Sequence, residues 1–226
     1  MLLIKKPYLS LLALTASASV SLANATDLAL DPGYQACVDK VRDNPEQGRY
    51  QALRWVSDGG GDPALYCAAI ADLAIGVPRL AAERLEVLAK KNRTPDPYLS
   101  ARLYVQAAQA WAAGRETLPA LAAIAEAERM APATEEVKLL IAPIYAEIGR
   151  WGLTKRSLDA AEEFTPLSAS ALTLRARARK ELSDTEGAAR DLQLALNMEP
   201  ENIEALVLRG ELAQAGYIID PYTAAP

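Results

Sequence analysis

The sequence predicts an all-α protein, a solenoid of antiparallel helix pairs with about eleven helices. The main observation is a fixed period within the 226-residue chain. Pro132, Pro166 and Pro200 follow one another at intervals of thirty-four residues. An alanine stands five positions before each proline, and an apolar residue stands eight positions before it. A period of about 34 residues is typical of helix–turn–helix units that stack on one another.

Small and large residues recur at matched places within each unit. They are Tyr104, Ala107, Ala108, Trp111, Ala120, Ile124 and Ala127, then Ile141, Ala142, Tyr145, Trp151, Leu158 and Ala161, then Leu172, Ala176, Ala188, Leu192 and Ala195. Over residues 101–200 this pattern resembles the tetratricopeptide repeat (TPR) family. The resemblance implies a right-handed α-solenoid whose first helices line a concave groove.

Some positions depart from that pattern. Lys138, Arg175 and Arg179 stand where the family has large residues, and Thr154 replaces a small alanine. We expect these residues to weaken the interior of their repeats without breaking the register. Each proline still ends a second helix, because its ring clashes with an earlier carbonyl and it has no N–H to donate.

The N-terminal segment 1–25 is typical of a secretory signal peptide. It has Lys5 and Lys6 before an apolar stretch, and it ends with the Ala23-Asn24-Ala25 cleavage pattern. The alternative is a membrane anchor, but the apolar stretch is shorter than the roughly 20 residues that a spanning helix needs. We therefore expect an exported, periplasmic protein that is soluble after cleavage.

Composition excludes several classes of function. Removing Lys5 and Lys6 with the signal peptide changes the net charge from −5 to −7, so the basic surface typical of nucleic-acid binding is not expected. The chain has no histidine, which excludes Ser-His-Asp and Cys-His catalysis and leaves poor ligands for zinc. We expect no enzyme, no catalytic or metal residues and no cofactor.

Residues 26–97 predict irregular helix pairs. Asp31-Pro32 and Asn44-Pro45 are typical helix starts, and residues 57–63 predict a glycine-rich loop without the phosphate-binding motif. In the following pair, Gly76 marks the turn and Pro78 opens the second helix. The polar segment 90–97 is interpreted as a solvated linker.

Cys37 and Cys67 are the only cysteines of the chain. An even count in an exported protein favours a disulfide, and two buried free thiols are the alternative. In the chain-entropy description, a bridge that closes a loop of this size stabilises the fold by roughly 3–4 kcal/mol.

After Pro200 the sequence begins one more first helix without a full partner. We expect residues 202–215 to cap the solenoid. The tail 217–222 either folds back against this cap or serves as a short ligand-like segment. The predicted organisation is thus a signal peptide (1–25), irregular pairs (26–97), three regular repeats (98–200) and a cap with a tail (201–226).

The resemblance implies that the groove binds a partner. The groove residues that it implies are Arg102, Gln109, Glu136, Leu139, Thr173, Arg177 and Lys180. Arg177 and Lys180 lie one helical turn apart and can hold a partner's carboxylate, although they can equally be solvated cations beside Glu181. The lysine–asparagine carboxylate clamp of chaperone-binding family members is absent. We expect an exported, non-enzymatic scaffold that binds a protein or peptide partner, and a self-associating structural module is the alternative.

Overall fold

The computed structural model describes residues 31–131 and 135–219, and within these ranges it contains eleven helices. They are α1 Pro32–Asp43, α2 Pro45–Ser57, α3 Gly61–Ala74, α4 Pro78–Asn92, α5 Pro97–Ala113, α6 Thr117–Met130, α7 Glu135–Glu147, α8 Trp151–Glu162, α9 Ala169–Glu181, α10 Thr185–Met198 and α11 Ile203–Gln214. The predicted all-α solenoid is confirmed. The predicted signal peptide and Pro132 lie outside the described residues.

The predicted helix starts are present. Asp31 caps α1 by accepting hydrogen bonds from the next backbone N–H groups, and Asn44 caps α2 in the same way. The segment 57–63 differs from the prediction, because α3 already begins at Gly61. Pro63 fits in this first turn, where a helix has no internal acceptor for the N–H groups.

The thirty-four-residue period appears as a repeated turn. One residue with positive φ follows each first helix from α3 onward: Gly76, Arg115, Gly149, Ser183 and Gly216. The residue after it donates a backbone hydrogen bond to the carbonyl five positions upstream, for example from Arg150 to Tyr145 at 2.7 Å. This is the Schellman end of a helix, which needs a left-handed residue. Arg115, Gly149 and Ser183 are spaced by thirty-four residues, whereas Gly76 precedes Arg115 by thirty-nine.

The helices pack mainly on neighbours along the chain. First helices of consecutive pairs also touch, namely α1 with α3, α5 with α7, α7 with α9 and α9 with α11. The periodic alanines Ala127, Ala161 and Ala195 are wholly buried. Their small side chains allow the close approach of helix backbones on which stacking depends.

A disulfide joins the first two helix pairs. Cys37 on α1 and Cys67 on α3 are bonded, with their Cα atoms 6.4 Å apart, and both are buried. The predicted pairing is therefore present, and the alternative of two free thiols is not. Val41, Ala52 and Ala68 pack around it. The bridge thus lies within the apolar cluster of the N-terminal end.

A buried carboxylate ties three consecutive helices together in the N-terminal half. Asp72 on α3 is wholly buried and accepts hydrogen bonds from Arg49 Nε on α2 at 2.6 Å and from Arg84 Nε on α4 at 2.7 Å. Both cations are largely shielded from solvent. Each carboxylate oxygen therefore has its own charged donor, as a buried ion requires.

A second ionic network fills the interior between α8, α9 and α10. Arg175, whose side chain is only 4% exposed, donates two 2.9 Å hydrogen bonds to Asp191 on α10. It also pairs with Asp159 and Glu162 on α8, and Arg179 Nη1 lies 3.1 Å from Asp191. The two arginines that depart from the apolar pattern are thus matched by carboxylates. A paired guanidinium occupies the volume that a large apolar side chain would fill.

The C-terminal end is covered in part by the tail. Ile219 is buried against Leu208 and Leu212 of α11, whereas Ile218 is exposed. The chain after Ile219 lies outside the described residues. None of the helices described has both the length and the apolar character needed to cross a bilayer.

Replacing Arg115 or Ser183 by glycine should stabilise the protein. Both have φ near +60°, at +60° and +64°, where a side chain costs roughly 1–2 kcal/mol. Because glycine loses more backbone entropy on folding, we expect a net gain of about 0.5–1 kcal/mol for each change. Chemical denaturation followed by circular dichroism measures it. The matched control is Gly149→Ala, whose added Cβ meets no atom within 4 Å, and it should destabilise by a similar amount. Unchanged midpoints in all three variants would contradict this account.

Removing one partner of the buried ionic network should destabilise α9 and α10. We expect Arg175→Leu to cost about 3 kcal/mol, because Asp191 then loses two of its charge-assisted bonds. The double variant with Asp191→Leu should recover part of that loss, because two apolar side chains can replace the buried pair while Arg179 loses one carboxylate partner. Hydrogen exchange of α9 and α10 amides measures both effects. A double variant as unstable as the sum of the single variants would show that the two residues are not coupled.

Candidate functional site

The helices α1, α3, α5, α7, α9 and α11 form one face, here called the first-helix face. Side chains bridge consecutive helices along this face. They form an aromatic stack between α1 and α3, an ion pair between α5 and α7, and a cluster of charges between α9 and α11. The chemistry of each bridge determines what the face can offer a ligand.

Tyr34 and Tyr66 form the first bridge. Their ring centroids lie 5.8 Å apart with an interplanar angle of 27°, which is a stacked arrangement. Burial, with a smaller contribution from Tyr66, raises the pKa of Tyr34 to about 12. Burial also raises the pKa of Tyr66, while a hydrogen bond with Gln106 and the nearby Arg102 act in the opposite direction. Both phenols are therefore neutral near pH 7.

An open cleft separates α3 from α5. These two helices, both wholly described, make less backbone contact than the other pairs of consecutive first helices. The cleft between them has a volume of about 870 Å³. Tyr66, Ile70 and Leu73 form one wall, Leu85 of α4 lies at the base, and Gln106 and Gln109 stand on the opposite wall, with four alanines between them. The cleft is thus apolar with two amide groups, within the size range of ligand sites.

The second bridge joins two predicted groove residues. Arg102 Nε on α5 lies 3.8 Å from Glu136 Oε1 on α7. The Arg102 side chain is 15% exposed, whereas Glu136 is 53% exposed. A long and partly exposed pair of this kind contributes little to stability, about 0–1 kcal/mol. Its main effect is that Arg102 already has an acidic partner.

The third bridge contains the two cations that were predicted to hold a partner's carboxylate. Lys180 Nζ donates a 2.7 Å hydrogen bond to Glu211 Oε2 of the capping helix, and Arg177 Nη1 lies 3.7 Å from the same oxygen. The hydrogen bond from Lys180, together with the charges of Arg177 and Lys180, holds the pKa of Glu211 below its usual range. The chain therefore places a carboxylate of its own between these cations.

The other predicted groove residues differ in their surroundings. Gln109 is exposed and lines the cleft. Leu139 is partly buried against the cluster that contains Leu158 and Leu172. Thr173 is buried, and its hydroxyl donates to the Ala169 carbonyl at 2.8 Å.

The sequence pattern did not indicate the residues that open the cleft. These residues are Tyr66, Ile70, Leu73 and Gln106. Leu73 is 43% exposed. The thirty-nine-residue interval between Gly76 and Arg115 is a sequence signal of the altered spacing, since the regular interval is thirty-four. Within the described residues, no three Cys, Asp or Glu side chains form a group able to hold a metal ion.

The sequence matches no protein-family model and no curated protein. Solved structures are similar in fold. TTC0263 of Thermus thermophilus, described as a thermophilic TPR protein, is 22% identical with a TM-score of 0.53, over 80% of this chain and 96% of that chain. YrrB, described as a TPR protein with an unusual peptide-binding site, is 15% identical with a TM-score of 0.57, over 81% and 93%. MamA is 17% identical with a TM-score of 0.53, over 79% and 95%.

Acid should loosen the capping helix. The pKa of Glu211 is lowered in the folded protein, so its contribution to stability is complete above its unfolded pKa and is lost as pH falls through the folded pKa. Because an unfolded glutamate titrates near 4.3, the protection factors of α11 amides, which are corrected for the intrinsic pH dependence of exchange, should fall as pH drops below about 5. The control is Glu211→Gln, which should exchange faster at neutral pH and lose this pH dependence. An identical pH profile in the two proteins would exclude Glu211 as the titrating group.

Proposed function

We propose that this chain, which has the fold of TPR proteins, is an exported, non-enzymatic scaffold that binds a protein or peptide partner on its first-helix face. The observation that carries the proposal is the cleft between α3 and α5, which opens on that face. Stacked helix pairs commonly use such extended surfaces for binding. The peptide-binding site of YrrB, a protein of similar fold, supports the same use here.

The proposed groove runs along the first-helix face from α5 to α11. Its residues are Arg102, Gln109, Glu136, Leu139, Arg177 and Lys180, with Thr173 buried beneath them. Gln109 connects this groove to the cleft. A partner that follows the groove would therefore meet both charged pairs and the uncharged cleft.

Two observations support export. The N-terminal segment has the pattern of a signal peptide, and the Cys37–Cys67 disulfide is the kind of bond that persists in oxidising compartments. A periplasmic location is part of this proposal.

A self-associating module is the second candidate. The capping helix α11 carries Ile203 and Val207, which are 76% and 53% exposed, on the same side as Gly210. A Cβ added at Gly210 would meet no atom within 4 Å. This apolar side of α11 can pack against another copy of the chain, in which case the protein would be a homo-oligomer.

The proposed function predicts that peptides selected for binding will contact the first-helix face. A display library of random peptides is selected on the mature chain, and dissociation constants are measured for the best peptide. The combined variant Gln109→Trp/Ser170→Trp places bulk at one exposed position on α5 and one on α9, and it should weaken binding at least about tenfold, or 1.4 kcal/mol.

The matched control is Arg190→Trp on α10, where the native side chain is 69% exposed. It should leave the affinity within about twofold, which is less than 0.5 kcal/mol. Sedimentation of the same samples reports the oligomeric state. A concentration-dependent oligomer that selects no peptide would reject the scaffold in favour of self-association.

A further inference from the structure

The cleft between α3 and α5 has walls that carry no charge. None of the ten residues that line it, all of them described, is an acid or a base. A charged ligand group that entered would exchange part of its hydration for uncharged walls, whereas an apolar group would gain by leaving water. The walls therefore select for uncharged, apolar groups.

The charged bridges of the same face lead to the same selection. Arg102 already has Glu136 as its partner, and Lys180 with Arg177 holds Glu211. An acidic ligand would have to compete with these internal carboxylates for the cations. An apolar segment that enters the cleft displaces no ion pair.

The two glutamine side chains of the cleft favour a ligand that carries polar groups at fixed positions. Gln109 is exposed on the α5 wall, and the partly buried Gln106 stands on the same wall. Each carboxamide offers both donors and an acceptor without a net charge. A polypeptide backbone offers the complementary groups at regular intervals, while its side chains supply the apolar part. A purely hydrocarbon ligand would make no use of these amide groups.

On these grounds we propose that the cleft anchors an extended, uncharged segment of a partner polypeptide that inserts a large apolar side chain beside Leu73. The inference rests on the proposed function, because it specifies the chemistry of the ligand that the first-helix face binds. It also specifies the position, since the anchor lies where the irregular pairs meet the regular repeats, between α3 and α5.

The test uses the mature chain, the best peptide from the display selection and Nile red, a neutral apolar dye. Selected peptides should share one large apolar residue without adjacent acids or bases. Leu73→Asp places a charge on the wall of the cleft. It should weaken the binding of both the peptide and the dye at least about tenfold. Leu118→Asp is the matched control, because Leu118 is 77% exposed on α6, and it should change neither affinity by more than twofold.

Two further variants distinguish a lost contact from a loss of folding. Circular dichroism checks that every variant is folded. Ala113→Trp fills the rim of the cleft from an exposed position and should also weaken both ligands. Leu73→Lys should weaken binding of the selected peptide. It should bind a variant of that peptide in which the apolar anchor is changed to Asp. Restored binding by that reversed pair would place the anchor beside residue 73.

The outcomes separate this inference from the proposed function. If Gln109→Trp/Ser170→Trp removes peptide binding while Leu73→Asp and Ala113→Trp leave it unchanged, the cleft is not the anchor, although the scaffold stands. Selected peptides rich in acids would likewise overturn the inference alone. If no peptide is selected, both proposals fail, and Nile red bound in the cleft would then indicate a site for small apolar molecules.

Discussion

The close approach of helices at small side chains is the constraint on which this structure depends. Ala127, Ala161 and Ala195 are wholly buried at the same place in three successive units. A helix pair that packs so closely still leaves an apolar side uncovered, and only the next pair can cover it. Stability is therefore distributed over local contacts along the chain. The ends need other means, and the Cys37–Cys67 disulfide and the buried Ile219 provide them.

Buried ionic groups take the place of apolar packing at two points of the solenoid. Arg175 and Asp191 are both nearly inaccessible to solvent, and they meet through two hydrogen bonds. A buried pair of this kind adds little net stability over apolar residues, but it leaves a large penalty for any other arrangement of the helices. Asp72 acts in the same way, since it requires both Arg49 and Arg84. These networks fix the positions of helices that alanine contacts alone would leave free to slide.

The sequence predicted the fold well and the candidate site only in part. Pro166 and Pro200 are thirty-four residues apart, and so are the left-handed residues Gly149 and Ser183. The proline and the left-handed residue each end a helix through local backbone geometry, so the sequence can predict them. The pairing of Cys37 with Cys67 followed from their number. The partner of Lys180 could not be predicted in the same way. Glu211 is thirty-one residues away, and its approach depends on how α11 packs against α9.

The cleft could not be predicted from the sequence either, because it also depends on how helices pack. Its position along the chain explains why we propose that it binds a ligand. Regular thirty-four-residue spacing brings consecutive first helices into contact, as between α5 and α7. The longer interval between Gly76 and Arg115 coincides with the one pair of consecutive first helices that stands apart among those described. Ion pairs join α5 to α7 and α9 to α11, and stacked rings join α1 to α3, so the side chains at these three contacts already have partners. Apolar surface therefore stays open to a ligand between α3 and α5, where the interval is longer than thirty-four residues. The specificity that we propose for this cleft arises from that longer interval.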